Sequence, residues 1–515
     1  MSTFEDQISA FKNTSNTAVV VPNGPILTYP RFFDVIANFK NDLAALSLQR
    51  QSAISLSLGN SLEFATAFIA LTSSAFIACP LNPNYTQAEF EFYIEDVKSS
   101  LLLVPRGSVE KGTAAVQAAR KFKTAIAEVY WSDSRAKIVL DLKEDGSLGS
   151  HRYSDNTSAT PLDIAFILHT SGTTGRPKAV PLTHANMART VTNVINTYTL
   201  TSSDCSYLVM PLFHVHGLLC GFLAPLGSGG SVIIADKFSA SQFWDHFVRY
   251  RANWYTAVPT MHQILLKSPV PTPIPNIRFV RSCSSSLAPA TFHELEKKLQ
   301  APVLEAYAMT EACHQMTSNN LPPGKRKPGT VGVGQGVEVV ILDDNANVLP
   351  QGQQGEISIK GTNITPGYIN NPKANAESFT HNGYFRTGDQ GMFDEDGFLV
   401  ITGRIKELIN RGGEKISPIE LDGVMLEHPA VAEAVAFGAP DELYGQSVNA
   451  VIVLKPGKEN VTEEDIRAFL TKKLAKFKVP KRIYFTKVMP KTATGKIQRR
   501  IIAQKFTEEK PKAKL

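Results

Sequence analysis

The stretch Leu168-His-Thr-Ser-Gly-Thr-Thr-Gly-Arg-Pro-Lys178 decides how the rest of this 515-residue chain is interpreted. It follows the apolar run 163–168, which predicts a buried strand, and it precedes residues 184–198, which have the pattern of a helix capped by Thr183. Between them, two glycines allow the backbone N–H groups to turn inward, while hydroxyl groups and Lys178 add donors and a cation. Such a loop is suited to binding a polyphosphate.

The loop is not a Walker A loop, because Pro177 stands where the pattern G-x-x-x-x-G-K-[ST] requires a glycine before the lysine. It resembles instead the phosphate loop of the acyl-adenylate-forming enzymes, which include acyl-CoA synthetases, peptide-synthetase adenylation domains and firefly luciferase. For the loop alone, a solvated turn without a ligand is the alternative interpretation. The resemblance implies that ATP contacts Thr170, Ser171, Gly172, Thr173, Thr174 and Lys178.

The composition is typical of a globular protein with at least two domains, since 515 residues exceed one ordinary hydrophobic core. The net charge of +6 is small for this length and does not by itself indicate a nucleic-acid partner. Five scattered cysteines without a C-x-x-C pair favour a reducing environment over disulfides or structural zinc. The N-terminus has no apolar signal region, and no apolar run reaches the ~18 residues of a membrane helix.

The order of patterns along the chain predicts an α/β fold. Short apolar runs alternate with helical patterns in the first part of the chain, whereas residues 329–369 have many glycines and short alternating strands. After residue 404 the chain restarts as a small α+β unit. We therefore predict an N-terminal domain, 1–404, of layered α/β subdomains plus a β-rich subdomain, and a small mobile α+β C-terminal domain, 405–515.

Two further stretches resemble nucleotide-binding motifs of the same superfamily. Glu305-Ala-Tyr-Ala-Met-Thr-Glu311 resembles Y-G-x-T-E, which implies that Thr310 contacts a phosphate and that Glu311 holds Mg²⁺, with Thr170 as a second metal contact. Tyr384-Phe-Arg-Thr-Gly-Asp389 resembles the motif whose aspartate binds the ribose hydroxyls, and Arg404 would add a second contact. The implied nucleotide-binding residues of these motifs are Glu305, Ala306, Tyr307, Asp389 and Arg404.

The C-terminal unit carries the implied catalytic lysine. Pro490-Lys-Thr-Ala-Thr-Gly-Lys496 resembles P-K-T-x-x-G-K, in which the second lysine lies near the α-phosphate, a role suited to a compact cation. Lys406 stands at the hinge position of the family, and Arg411, Gly412 and Gly413 stand where coenzyme A is bound. The resemblance implies acyl-adenylate formation from ATP, then transfer to a thiol after rotation at the hinge. Because no carrier-domain motif follows, free coenzyme A is the expected acceptor.

The residues expected around the acid are unusually polar. In Pro211-Leu-Phe-His-Val-His-Gly217, His214 matches the gate residue of plant phenylpropanoid CoA ligases, and His216 replaces a pocket tyrosine. Ser284 lies in a hydroxyl-rich loop that replaces a Gly/Ala-rich floor, and His314 follows Glu311 by three residues. These departures favour a small dianionic acid, and the same strings resemble the oxalyl-CoA synthetases of plants and fungi. Either histidine could instead be a hydrogen-bonded structural residue.

Other functions remain open at this stage. A medium-chain or aromatic acyl-CoA ligase is the alternative enzyme, and residues 476–515, with thirteen Lys/Arg against two Asp/Glu, could bind RNA. The last residues, Ala513-Lys514-Leu515, are a close variant of the S-K-L address read by the peroxisomal import receptor. The sequence therefore predicts a protein of the peroxisomal matrix, with the cytosol as a possible second location.

Overall fold

The computed structural model describes residues 2–46, 48–148, 158–170, 177–491 and 497–508. In chain order the strands are β1 Thr17–Val20, β2 Ile26–Thr28, β3 Ala53–Leu56, β4 Ile77–Pro80, β5 Leu101–Pro105, β6 Ala125–Ser132, β7 Lys137–Glu144, β8 Ile164–Thr170, β9 Lys178–Thr183, β10 Cys205–Leu208, β11 Ser231–Ile234, β12 Trp254–Ala257, β13 Phe279–Ser282, β14 Val303–Met309, β15 His314–Ser318, β16 Val333–Gly334, β17 Glu338–Leu342, β18 Gly355–Lys360, β19 Phe385–Phe393, β20 Leu399–Arg404, β21 Ile409–Arg411, β22 Glu414–Ile416, β23 Val431–Asp441, β24 Gly445–Leu454 and β25 Arg482–Phe485.

The α-helices are α1 Phe4–Ser9, α2 Tyr29–Ala44, α3 Leu62–Ser73, α4 Gln87–Asp96, α5 Ser108–Lys111, α6 Ala114–Lys121, α7 His184–Tyr198, α8 Ala224–Gly227, α9 Phe243–Arg249, α10 Pro259–Lys267, α11 Pro289–Leu299, α12 Pro372–Ser378, α13 Pro418–Leu426, α14 Glu463–Thr471 and α15 Arg499–Glu508. A π-helix covers His216–Leu223, and 3₁₀ turns cover Thr310–Ala312, Ile405–Glu407 and Lys476–Lys478.

Two large sheets form the N-terminal part. The seven-stranded sheet has the order β7-β6-β5-β3-β4-β8-β9, and the nine-stranded sheet has the order β16-β15-β14-β13-β12-β10-β11-β1-β2. Their central strands pair in parallel and their outermost strands antiparallel. Central strands such as β3 are buried along their whole length, as expected for parallel strands covered on both faces by helices. The predicted α/β class is confirmed.

Two smaller antiparallel sheets follow. The first has the order β17-β18-β19-β20, and the second has the order β22-β21-β24-β23 with β25 added parallel to β24. The last strand of the first sheet ends at Arg404, the turn Ile405–Glu407 follows, and the next strand belongs to the second sheet. This second sheet has a core of its own, which includes Ile409, Leu421, Ile452 and Leu470.

The phosphate-binding stretch differs from its prediction in one element. Instead of leading directly into the helix, the chain after the loop forms β9, which pairs antiparallel with β8. Pro181 is tolerated in this strand because β9 lies at the edge of its sheet, where a missing N–H breaks no ladder. The helix begins as predicted, since Thr183 Oγ1 accepts from Asn186 N at 3.2 Å and Asn186 Oδ1 accepts from Thr183 N at 2.8 Å.

Burial is consistent with a globular chain. The largest core cluster joins strand side chains of both large sheets, including Leu168 and Leu208, with helix side chains such as Phe68 of α3. All five cysteines are buried and unbridged. Over the described ranges, no helix combines the length and apolar character needed to cross a membrane.

Candidate active site

Several residues that are predicted to bind the nucleotide lie at the ends of strands. Thr170 is the last residue of β8 and lies opposite Lys178 in the β8–β9 pair, so both flank residues 171–176. Thr310 and Glu311 form the turn directly after β14. Since ligands of open α/β sheets bind beyond the carboxyl ends of the strands, these positions suit a nucleotide. Ser171, Gly172, Thr173 and Thr174 lie outside the described residues.

Tyr368 joins two of these predicted residues. Its hydroxyl donates to Glu311 Oε1 at 2.8 Å, and its ring centroid lies 4.4 Å from Lys178 Nζ. Glu311 is buried, and its carbonyl oxygen accepts from Thr365 N at 2.8 Å. Tyr368 therefore contacts both Lys178, the cation predicted for the phosphate loop, and Glu311, the proposed metal ligand. Sequence analysis missed Tyr368, because an isolated tyrosine in a turn-rich segment belongs to no pattern.

Glu311 fits the predicted role in binding a divalent cation. Tyr368 engages Oε1, whereas Oε2 accepts no hydrogen bond within the described part of the chain. A buried carboxylate oxygen of this kind is the ligand type that Mg²⁺ prefers.

The carboxylates of Asp394, Glu395 and Asp396 also lie together. Lys327 Nζ neutralises that second group, at 2.7, 3.0 and 3.1 Å from its members, so we assign the group to an ion-pair cluster.

Replacing Tyr368 with phenylalanine is expected to weaken MgATP binding. The variant loses one hydrogen bond to a charged group, which costs about 1.5–3 kcal/mol, or roughly a 10- to 100-fold increase in the KM for MgATP. The matched control is Tyr384→Phe, which removes a tyrosine–glutamate bond of 2.5 Å to Glu338 that does not involve Glu311. Steady-state kinetics with varied MgATP would contradict the assignment if both variants changed KM equally.

Asp389 is held from two sides. Arg404 Nε donates to Asp389 Oδ1 at 3.1 Å, and the Tyr307 hydroxyl donates to Oδ2. The strand register brings Asp389 and Arg404 opposite each other in the β19–β20 pair. Burial raises the pKa of Asp389, while Arg404 and Tyr307 oppose that shift. The three side chains therefore present one oriented carboxylate, as the predicted contact with ribose hydroxyls requires.

The Glu305 side chain has a structural role that the sequence did not predict. Its buried carboxylate accepts from Leu287 N at 3.3 Å and from Gly329 N at 3.1 Å. Burial raises its pKa to about 7, against the opposing effect of these two N–H groups. The side chain therefore fastens two loops to β14, and the contact of Glu305 with the nucleotide stays a prediction. The neighbouring Ala306 is buried in the same strand.

The predicted acid-binding side chains form one cluster. His216 Nδ1 lies 3.1 Å from Ser284 Oγ, and His216 Nε2 lies 2.6 Å from Thr256 Oγ1. The ring of His314 stacks on that of His216 with centroids 5.4 Å apart and planes 22° apart. His214 is half-buried beside them, and its Nδ1 accepts from His216 N at 3.3 Å. Residues far apart in the chain therefore meet at one point.

These residues differ in burial, although the sequence predicted all of them as contacts to the acid. His216 and His314 are fully buried, whereas Ser284 is partly exposed. Of His216, His314 and Ser284, only Ser284 is thus placed to touch a ligand without rearrangement; His216 orients it from behind, and the half-buried His214 lies beside them. Ser284 and His314 also have positive φ angles, 74° and 113°, a backbone strain that is typical of functional sites.

Sequence analysis missed the deeper part of this cluster. Arg281 donates to Thr256 Oγ1 at 3.1 Å and, from Nε, to Tyr198 Oη at 2.7 Å. The available signal was a charged residue that follows the apolar pair Phe279-Val280 in a strand. His216 itself begins a π-helix, an element that is rare and often found at functional sites. No sequence pattern predicts a π-helix at this position.

Two protein-family models match this chain. Residues 5–369 match the model of the AMP-binding enzymes, and residues 420–496 match that of the AMP-binding enzyme C-terminal domain. The chain belongs to the AMP-binding enzyme family. The predicted superfamily is therefore confirmed.

Three relatives illustrate the similarity of this AMP-binding enzyme to known proteins. The oxalate–CoA ligase of Saccharomyces cerevisiae is 53% identical over 522 residues, covering 97% of this chain and 96% of that protein. The oxalate–CoA ligase of Arabidopsis thaliana is 48% identical, with 94% of each chain covered. The solved structure of ATP-bound MatB from Rhodopseudomonas palustris is 28% identical, with a TM-score of 0.88 over 98% of both chains.

In this AMP-binding enzyme, the segment predicted to bind coenzyme A is a tight hairpin. Gly412 and Gly413 connect β21 and β22 with φ angles of 61° and 93°, the left-handed conformation that a two-residue hairpin turn demands. The turn therefore explains both glycines without reference to a ligand. Arg411 lies 4.5 Å over the ring of Tyr444 and donates to the carbonyl oxygen of Phe477 at 3.1 Å. Its guanidinium is thus oriented by the C-terminal unit itself.

The hinge candidate lies in the turn between two sheets. Lys406 is exposed in the 3₁₀ turn Ile405–Glu407. The next residue, Glu407, accepts from Arg499 Nε at 3.1 Å, and Arg499 Nη2 donates to Asp422 at 2.9 Å. The turn is therefore tied to helices α13 and α15. The catalytic candidate Lys496 and the terminal residues Ala513-Lys514-Leu515 lie outside the described residues.

The basic character of residues 476–508 is partly neutralised within the protein. Lys478 pairs with Glu420, Lys481 with Asp441 and Lys491 with Glu433, at 2.6, 2.8 and 2.5 Å. An RNA-binding surface requires cations that are available to phosphates. These pairs reduce the charge that this segment can offer, and RNA binding stays a prediction from composition.

Proposed function

We propose that this AMP-binding enzyme is an oxalate–CoA ligase. It would convert oxalate and ATP to oxalyl-AMP and pyrophosphate, and then transfer the oxalyl group to coenzyme A with release of AMP. The observation that carries the proposal is the polar cluster at the acid site, in which His216, Thr256 and Arg281 are buried and Ser284 is partly exposed. The two similar oxalate–CoA ligases support the same substrate.

The chemistry of the cluster favours oxalate over acids with apolar tails. A fatty or aryl chain placed against Ser284 would leave the hydroxyl hydrogen that points out of the cluster without an acceptor, which costs about 1–3 kcal/mol. A second carboxylate supplies that acceptor. For the same reason, a small dianion should bind better than a monoanion of similar size.

In the first half-reaction, the described residues would bind and orient the reactants. Lys178 and Thr310 contact phosphate oxygens, the Asp389–Arg404 pair binds the ribose, and Ser284 binds the distal carboxylate of oxalate. A magnesium ion held by Glu311 would neutralise part of the triphosphate charge that repels an anionic acid. Lys496 would stabilise the charge that develops at the α-phosphate.

A panel of acids tests the proposal. Coenzyme-A-dependent pyrophosphate release would be measured with oxalate, octanoate and 4-coumarate at equal concentrations. We expect oxalate to give the highest kcat/KM. A higher value for octanoate or 4-coumarate would favour the medium-chain or aromatic acyl-CoA ligase and would reject the proposed substrate.

Replacing Ser284 with alanine tests the acid contact. The variant should raise the KM for oxalate by roughly 10- to 100-fold, because a hydrogen bond to a charged group contributes about 1.5–3 kcal/mol. The KM for ATP should hardly change. The matched control is Ser286→Ala in the same loop, since Ser286 is exposed, whereas Ser285 donates to the carbonyl oxygen of Ser284 itself at 2.8 Å. Equal effects of both variants would indicate that the loop, and not Ser284, determines oxalate binding.

The cellular location is proposed from the C-terminal residues. Ala513-Lys514-Leu515 resembles the peroxisomal address, and the resemblance supports import into the peroxisomal matrix. A fluorescent protein joined to the N-terminus should enter peroxisomes. Deletion of the last three residues should leave it in the cytosol. An unchanged distribution of the truncated fusion would exclude this address as the signal.

A further inference from the structure

Arg281 carries a buried positive charge in the nine-stranded sheet. It lies in β13, between β12 and β14, and its side chain is fully buried. Besides Tyr198 and Thr256, its guanidinium contacts Gln315 Oε1 at 3.2 Å and His216 Nε2 at 3.4 Å. The hydroxyl and amide partners are uncharged groups that accept hydrogen bonds but supply no negative charge.

The charge of Arg281 is not neutralised by an acidic side chain. Within the described ranges, no aspartate or glutamate forms an ion pair with it. Glu305, on the adjacent strand β14, is bound to the backbone N–H groups of Leu287 and Gly329 instead. A buried charge without a counterion is costly and rare, so such a residue is expected to meet an anion during function.

The hydrogen bonds run in one direction from Arg281 to Ser284. A guanidinium can only donate, so Thr256 Oγ1 accepts from Arg281 and gives its own hydrogen to His216 Nε2 at 2.6 Å. His216 then carries its proton on Nδ1 and donates to Ser284 Oγ at 3.1 Å. The hydroxyl hydrogen of Ser284 is thereby left to point out of the cluster. Ser284 is also the member of this chain that is partly exposed.

We propose that Arg281 selects a dianionic acid over a monoanionic one. The inference rests on the proposed function and deepens it by naming the residue that responds to the second negative charge. Arg281 does not touch the acid; it orients Ser284 through Thr256 and His216, and its charge is balanced when a carboxylate binds at Ser284. Because the surroundings are buried, this charge acts more strongly than it would in water.

Oxalate and oxamate provide the test, since oxamate has the size and shape of oxalate but replaces one carboxylate with an amide. The KM for oxalate and the inhibition constant of oxamate would be measured for the wild type and for Arg281→Met. We expect the KM for oxalate to rise about 10- to 100-fold and the constant for oxamate to change by less than about threefold. The KM for ATP should stay constant.

Two outcomes would overturn the inference. Equal losses for oxalate and oxamate would mean that Arg281 only supports the fold, and an unchanged KM for oxalate would mean that its charge is not used. Arg281→Lys keeps the charge and should retain more of the oxalate preference than Arg281→Met. If the wild type does not use oxalate at all, the proposed function fails, whereas oxalate activity with an unchanged preference in the variant rejects only the role of Arg281.

A second variant keeps the inference testable if Arg281→Met does not fold. Thr256→Val retains the size of the side chain and the charge of Arg281 but removes the hydroxyl that links Arg281 to His216. Its preference for oxalate over oxamate should fall about 2- to 10-fold, the range for one uncharged hydrogen bond. An unchanged preference in this variant, with normal thermal stability, would reject the chain of hydrogen bonds.

Discussion

Replacing Lys496 with alanine should slow acyl-adenylate formation by about 100- to 1,000-fold, the usual cost of losing one group that stabilises charge in a transition state. The assignment rests on the resemblance of residues 490–496 to the P-K-T-x-x-G-K motif. Lys491 and Ile497, the described residues on either side of 492–496, form an antiparallel bridge, and Lys491 pairs with Glu433 at 2.5 Å. Lys496 directly precedes that bridge.

The two half-reactions separate a catalytic role from a structural one. The Lys496→Ala variant should still form oxalyl-CoA when supplied with oxalyl-AMP, because the lysine is expected to act only in adenylation. Pyrophosphate release measures the first step, and thioester formation from the supplied adenylate measures the second. Lys487→Ala, which removes an exposed lysine nearby, is the matched control and should affect neither step. Equal loss in both half-reactions would contradict the two-conformation mechanism.

Replacing Lys406 with proline should produce the opposite pattern. Proline fixes φ near −65° and also restricts the preceding residue, so the turn Ile405–Glu407 would lose the torsional freedom that rotation needs. We expect pyrophosphate to be released in a burst of about one molecule per enzyme, followed by loss of most steady-state thioester formation. Quenched-flow measurement of pyrophosphate and oxalyl-CoA would record both quantities.

The control for this variant is Lys406→Ala, which removes the same side chain but leaves the backbone free to rotate. It should retain more thioester formation than Lys406→Pro. The ion pair between Glu407 and Arg499 remains possible in both variants, so their thermal stabilities should be similar. Normal turnover of Lys406→Pro would mean that the domains do not rotate about this residue.

Local patterns predicted much of the fold because their causes are local. The cap of α7 by Thr183 and the strand preceding Thr170 both depend on residues a few positions apart. The strand β9 was missed because its partner β8 stabilises it, and an isolated run with a central proline does not predict a strand.

The nucleotide site was less completely predictable. Motif order placed Lys178, Glu311 and Asp389, whereas their mutual arrangement depends on Tyr368 and Tyr307, which come from other segments. The sequence also suggested that Glu305 binds the nucleotide. Only the folded chain shows two backbone N–H groups converging on its carboxylate.

The sequence by itself determined the family, the order of the elements and the polar character of the acid site, because each of these follows from short strings of residues. The tertiary structure decided which of the polar residues is partly exposed. The sequence predicted an acid contact equally for His216, Ser284 and His314. Of these three, burial leaves only Ser284 partly exposed, and Arg281 lies behind it. This difference arises from the packing of β12, β13, β15 and the π-helix against one another, and no single segment contains it.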